Sequence, residues 1–203
     1  MFAPTRKASS SSRAREQGAG FTLIELMMVV VIVGVLGVLA TYSGRRYTSN
    51  AKSAEARNAL GQMAKDASAA YERDSTNQAS VATGQLSNTS RNLCASASAS
   101  VPAAITSVTA RKYQSTAADW NTDHATKAGF YCLKFVIDEP QYYMYSYLAQ
   151  ATAGTGAVNS FTASAQGDLD GNGVSSLFQV DGQLDSANRL TISPNILEVR
   201  PDE

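Results

Sequence analysis

The run FTLIELMMVVVIVGVLGVLATY, Phe21 to Tyr42, is 22 residues long, and only Thr22, Glu25 and Thr41 in it are clearly polar. About 20 consecutive apolar residues suffice to cross a bilayer as a helix. In hydrocarbon a single segment satisfies its own N–H and C=O groups only as a helix. The run therefore predicts a transmembrane helix, and any folded domain has to be built from the residues around it. Glu25 lies only a few residues inside the run. A carboxylate at that depth costs several kcal/mol unless a partner neutralises it, which makes Glu25 a candidate functional residue from the outset.

The flanks give the run an orientation. Residues 1 to 20, MFAPTRKASSSSRAREQGAG, hold Arg6, Lys7, Arg13 and Arg15 against Glu16, a net +3, and leave 13 basic and 16 acidic side chains for the rest of the chain. A basic flank ahead of the span places the N-terminus in the cytoplasm and residues beyond Tyr42 outside it. An ordinary secretory signal has its apolar region before the cleavage site, whereas here the apolar region follows the small residues of GAG. The balanced total charge offers no general electrostatic case for nucleic acid, although Arg111 and Lys112 form a local basic patch through which DNA is a conceivable partner.

Two cysteines, Cys94 and Cys132, stand far apart without a CxxC, and His124 is the single histidine, so zinc is not expected. In an exported chain such a pair most simply forms one disulfide, contributing about 3 to 4 kcal/mol in the chain-entropy account. Two separate buried thiols are the alternative.

Beyond Tyr42, SGRRYTSNAKSAEARNALGQMAKDASAAYERD is rich in good helix formers and free of proline. It predicts a helix continuing to about Asp74, roughly 80 Å from Thr22 at 1.5 Å per residue. Ala51, Ala54, Asn58, Gly61, Ala64, Ala67 and Tyr71 form a loose stripe at helical spacing, expected to lie against a globular head. Gly34, Gly37 and Gly44 either weaken the helix locally or let other helices approach closely.

The remaining sequence reads as that head. Residues 75 to 110 are small, polar and nearly uncharged, predicting a long surface connection, and 111 to 129 a second irregular region. Trp120 is expected to pack against a sheet and His124 to lie in a solvated loop. FYCLKFVI, Phe130 to Ile137, and QYYMYSYLA, Gln141 to Ala149, flank the turn-prone DEP and predict a β-hairpin. In the second of these, Tyr143, Tyr145 and Tyr147 share one face, with Tyr142, Met144 and Leu148 on the other. Further strands are expected at Ser160 to Gln166 and Ser175 to Gly182. The predicted class is α+β, a long N-terminal helix on an antiparallel sheet of about four strands.

Between the last two strands, GDLDGNGVSSLFQ places Asp168, Asp170 and Asn172 at alternate positions with Gly173 next, as in a calcium loop. Val174 offers a carbonyl and Ser176 the ninth position, but the twelfth is Gln179 rather than a bidentate glutamate. A glycine- and aspartate-rich turn between strands explains the same residues without a metal. No other cofactor is expected. Catalysis is not expected either, because no nucleophile, base and carboxylate constellation is present.

Taken together, G|FTLIE after a short basic leader and before an unbroken apolar run resembles the processing signal of type IV prepilins and of their relatives, the pseudopilins of type II secretion. CLKF, PQYYMYSY and GDLDGNG add a weaker similarity to pilin-like heads. The resemblance implies cleavage between Gly20 and Phe21 by a prepilin peptidase, which also methylates the new amino group of Phe21. It implies that Glu25 faces the amine of Phe21 on a neighbouring subunit. An anion one turn along does not easily fold back onto its own N-terminus, so a staggered neighbour supplies the partner and assembly neutralises both charges. Many type IV pilins carry a proline about where Tyr42 sits; without it the most obvious cause of a kink is absent.

The implied layout is a removed leader at 1–20, a membrane and filament-core half at 21–42 and an amphipathic half at 43–74. A connecting region at 75–129 and a sheet with C-terminal region at 130–203 complete it. The implied function is a structural subunit of a type IV pilus serving adhesion or motility, with other copies of itself, the inner-membrane assembly platform and membrane lipids as partners. The alternatives are a type II secretion pseudopilin, for which a calcium-binding loop is familiar, and a minor pilin that primes assembly or takes up DNA. The subunit is expected in the inner membrane before assembly and in an extracellular or periplasmic fibre afterwards.

Overall fold

The computed structural model describes residues 20–73, 91–151, 158–201 and 203. The leader up to residue 19, the predicted helix end at Asp74 and residues 75–90 of the predicted connection lie outside the described residues. The chain divides into two units, Met1–Ser43 and Gly44–Glu203. Helix α1, Leu23–Glu72, contributes to both.

In the first unit the helix begins where Thr22 can cap it. The Thr22 side-chain oxygen accepts the Glu25 backbone N–H at 3.2 Å, satisfying one of the donors that a helix start leaves open. From Phe21 to Leu39 the large apolar side chains are between 48 and 77% exposed. This segment is long and apolar enough to cross a membrane, and none of it is buried within the chain.

In the second unit α1 buries Ser53, Ala56, Leu60, Met63, Ala64, Ala67, Ala70 and Tyr71. The stripe expected from the sequence is thereby corrected. Ala64, Ala67 and Tyr71 do face inward, but Ala51 and Asn58 are exposed and Ala54 and Gly61 only half-buried. Small side chains carry little transfer free energy; Leu60 and Met63, with far more apolar surface to remove from water, set the rotation of the helix.

The sheet follows two short helices, α2 (Ala117–Trp120) and α3 (Gly129–Leu133). Its strands are β1 (Met144–Ala151), β2 (Val158–Gly167), β3 (Ser176–Leu184), β4 (Leu190–Ile192) and β5 (Leu197–Val199). They form one antiparallel sheet in the order β1-β2-β3, with β4 and β5 both pairing with β3. The α+β architecture and the strands expected near 160–166 and 175–182 are present.

The inner face of the sheet alternates large and small residues across its strands, so the layer interlocks. Tyr145, Ala165 and Phe178 make one cross-strand row, Tyr147, Ala163 and Val180 the next, and Ala149, Phe161 and Gly182 a third. Tyr143, Tyr145 and Tyr147 are completely buried, whereas Leu148 on the opposite face is 52% exposed, as the period-two pattern required. Trp120 is buried edge-on against Phe130 and Phe135, its Nε1–H donating to Ser115 Oγ at 3.0 Å. His124 sits in the turn after α2, its ring edge-on to Tyr131.

The hairpin expected from Phe130–Ile137 and Gln141–Ala149 does not form. Residues Gly129–Leu133 are helical and Lys134 adopts a left-handed conformation, φ 64°. The edge of β1 that such a hairpin needs is occupied by residues 97–101: Ala97 N–H donates to Tyr147 O, and Val101 and Tyr145 exchange backbone bonds at 2.8 and 2.9 Å. Phe130, Leu133 and Phe135 are buried, a spacing that fits a turn of helix and its exit rather than a strand. The three-residue strands β4 and β5 were too short to leave a periodic signature.

Gly182 has a steric duty in this core. A Cβ built there would run into the Phe161 ring. Gly182→Ala is expected to cost about 1–3 kcal/mol by overpacking, seen as a lower thermal midpoint of the full chain. An unchanged midpoint would show that Phe161 has free space to move.

Candidate functional site

The residues singled out in the sequence fall at three places. The first is the start of α1. Gly20 and Phe21 precede the helix and both are exposed, Phe21 at 77%. Thr22, Leu23, Ile24 and Glu25 have the Thr-x-x-Glu spacing of a capping box, and one of its two bonds is present, from Glu25 N–H to the Thr22 side chain. An acidic residue in the first turn also lies favourably in the helix dipole. This cap is a feature that the sequence reading passed over, although the spacing of Thr22 and Glu25 was there to be seen. The cap uses the Thr22 side chain and the backbone of Glu25, so the carboxylate itself contributes to the helix start only through the dipole.

The second place is the disulfide. Cys94 and Cys132 are bonded, with Cα atoms 5.8 Å apart, so the simpler of the two expectations holds. Cys132 lies on α3, whose start is tied to the same neighbourhood by Gly129 N–H donating to Ala95 O at 3.0 Å. Arg73, just past α1, donates to Cys132 O at 2.8 Å. The crosslink therefore fastens the Trp120 region, which carries no sheet ladder of its own, to the chain running along β1.

The third place is the acidic loop between β2 and β3. Asp168 is buried, its Oδ1 accepting Gly171 N–H at 2.8 Å and its Oδ2 accepting Gly173 N–H at 3.2 Å. Gly171 and Gly173 have φ of 78° and 87°, a region in which a side chain would be strained. Asp170 accepts from Asn172 twice, and Asn172 also donates to Glu203 Oε2 at 2.9 Å. The Asn172 side-chain oxygen accepts Val174 N–H at 2.6 Å. Oxygens of Asp168, Asp170 and Asn172 thus already receive the loop's own N–H groups. Ser176 and Gln179 lie in β3, where Ser176 Oγ donates to Gly167 O and Gln179 Nε2 donates to Asp181. Calcium takes six to eight oxygens and would have to compete with these bonds. Among the described residues no group of three or more His, Cys, Asp or Glu is placed to hold a metal.

The basic pair is split between two surroundings. Arg111 donates to Thr106 O and Ser107 O, while the Lys112 ammonium lies 4.8 Å from the centre of the Tyr142 ring, with Lys52 of α1 also over that ring at 4.9 Å. Arg57 on α1 forms a two-pronged pair with Glu198 of β5, holding the helix to the far side of the sheet. The guanidinium keeps the Glu198 carboxyl below its ordinary range.

These features define an α+β protein with an N-terminal apolar helix of membrane-spanning length, an antiparallel sheet of five strands and one disulfide, an architecture compatible with that of pilins. Comparison with known protein families, curated proteins and solved structures finds no match for the chain.

Proposed function

We propose that the chain is a pilin-like filament subunit, anchored in the inner membrane by residues 21–42 and assembled into a fibre after its leader is cut between Gly20 and Phe21. The observation that carries this reading is the start of α1. A small-residue site is followed by a capped helix with Glu25 in its first turn, and every large apolar side chain of that helix from Leu23 to Leu39 is exposed. So much exposed apolar surface needs lipid or other copies of the same helix around it. In a fibre the helices would cover one another, and the amine of Phe21 would supply the cation that Glu25 lacks among the described residues of its own chain. A prepilin peptidase, an inner-membrane assembly platform and other subunits are the partners that this reading requires.

Mass spectrometry of the membrane-bound form tests it. The mature chain is expected to begin at Phe21 with a methylated amino group. A mature chain that retains Met1, or one cut after Tyr42, would overturn the proposal.

A further inference from the structure

The loop between β2 and β3 holds the single Asn-Gly pair of the sequence, Asn172–Gly173. An asparagine side chain is most easily lost before glycine, whose backbone nitrogen no Cβ shields from the neighbouring amide. Nothing lies within 4 Å of the point where a Gly173 Cβ would stand, and both residues are exposed. No bulk protects the pair, so hydrogen bonds have to. The Gly173 N–H, which must give up its proton before its nitrogen can attack, donates to Asp168 Oδ2 at 3.2 Å, and Asp168 is only 3% exposed. A carboxylate beside an N–H makes loss of that proton harder. The Asn172 amide, whose carbon is the point of attack, is tied three times: Nδ2 donates to Asp170 Oδ2 and to Glu203 Oε2, both at 2.9 Å, and Oδ1 accepts the Val174 N–H. Asp168 Oδ1 also accepts the Gly171 N–H at 2.8 Å, which fixes the carboxylate within the loop.

We propose that Asn172 is a modification site, an amide that water converts to a carboxylate only when the loop opens, with Asp168 as the lock on the attacking nitrogen and Glu203 as a tie on the amide. In the conversion the Gly173 nitrogen loses its proton and bonds to the side-chain carbonyl carbon of Asn172. The bond from that carbon to the amide nitrogen breaks, and ammonia leaves with the proton. The cyclic imide then takes up water at either carbonyl, giving aspartate in the normal chain or an isoaspartyl link through the side chain. An amide and a water thus become a carboxylic acid and ammonia, with no oxidant or cofactor. Asp168 is a positioning residue in this step, since it acts through the Gly173 N–H and bonds to no reacting carbon.

The product changes what the loop can hold. A carboxylate has no N–H, so the donations to Asp170 and to Glu203 are both lost. A new anion then stands between the carboxylates of Asp170 and Glu203, and like charges at that spacing repel. Glu203 is thereby released from the loop. The chemistry belongs to the loop itself and does not rest on assembly into a filament.

Ageing of the full chain in detergent micelles at mildly alkaline pH tests the proposal, with peptide mapping by mass spectrometry to resolve asparagine, aspartate and isoaspartate at position 172. The same chain unfolded in denaturant gives the unguarded rate. Freeing the pair breaks several bonds to charged groups, each of which lowers the open population about tenfold, so the folded chain is expected to convert at least about tenfold more slowly than the unfolded one. Asp168→Asn keeps the shape but offers one accepting oxygen to two N–H groups, and should bring the folded rate most of the way to the unfolded rate. Glu203→Ala, which removes one of the three ties on the amide, should raise it less. Wild-type conversion at the unfolded rate would overturn the proposal. So would an Asp168→Asn chain that is folded by circular dichroism and yet converts no faster than the wild type. Should Asp168→Asn fail to fold, an unchanged rate in Glu203→Ala would overturn it alone.

Discussion

A chain carrying Glu25→Gln should be cut between Gly20 and Phe21 and inserted as the wild type is, and yet be nearly absent from fibres. Glutamine at this position suits the capping box with Thr22 as well as glutamate does, so the helix start survives. Removing a charge from an apolar span does not hinder insertion. What is lost is the counter-charge for the amine of Phe21. Breaking one side of a buried ion pair costs about 3–5 kcal/mol, which corresponds to a hundredfold or greater loss of incorporation. The measurement is the ratio of processed subunit in sheared fibres to that in membranes, in cells without wild-type subunit. Incorporation at the wild-type level would remove the intersubunit pair from the account and leave Glu25 an acidic residue in the first turn of α1. Glu25→Ala is less discriminating, because it deletes the shape and hydrogen-bonding groups of the side chain together with its charge.

The double variant Cys94→Ser/Cys132→Ser should lower the thermal midpoint of the full chain by about 8–16 °C. The bond spans a sequence separation of 38, for which the chain-entropy account gives about 4 kcal/mol. Each kcal/mol moves the midpoint of a chain this size by about 2–4 °C. The Trp120 region should be the first to suffer, because it is fastened by the crosslink, by Arg73 and by packing rather than by a sheet ladder. Tryptophan fluorescence, reporting a single residue, can be followed beside circular dichroism of the sheet. A midpoint within about 2 °C of the wild type would mean that packing around Phe130 and Phe135 alone holds this region.

The legible parts of the chain were those decided locally or by simple chemistry. An apolar run of 22 residues declares itself in any context, because transfer from water to hydrocarbon depends on the side chains and not on what they later touch. Two cysteines with no competitor leave one intramolecular pairing to find, and it is the one formed. Strands β2 and β3, and the buried face of Tyr143, Tyr145 and Tyr147, followed from alternation, since a pleated strand shows every second residue to the same side.

Other features had to wait for the tertiary structure, because each was settled by competition between distant segments. FYCLKFVI has the composition of a strand, but residues 97–101 hold the edge of β1 where it would have paired, and Phe130 and Phe135 close around Trp120. The small residues of α1 left its rotation open over Ala51 to Tyr71 until Leu60 and Met63 met the sheet. In the sequence Glu55 is one charged residue among several in the second half of α1. Only the approach of Tyr142 and Tyr145, nearly 90 residues along the chain, turned it into a carboxylate lodged in a seam. Hydrophobic content and residue spacing are properties of a segment, readable before folding. Which surface a segment covers, and how dry its polar groups become, depends on what packs against it, and that exists only once the whole domain has formed.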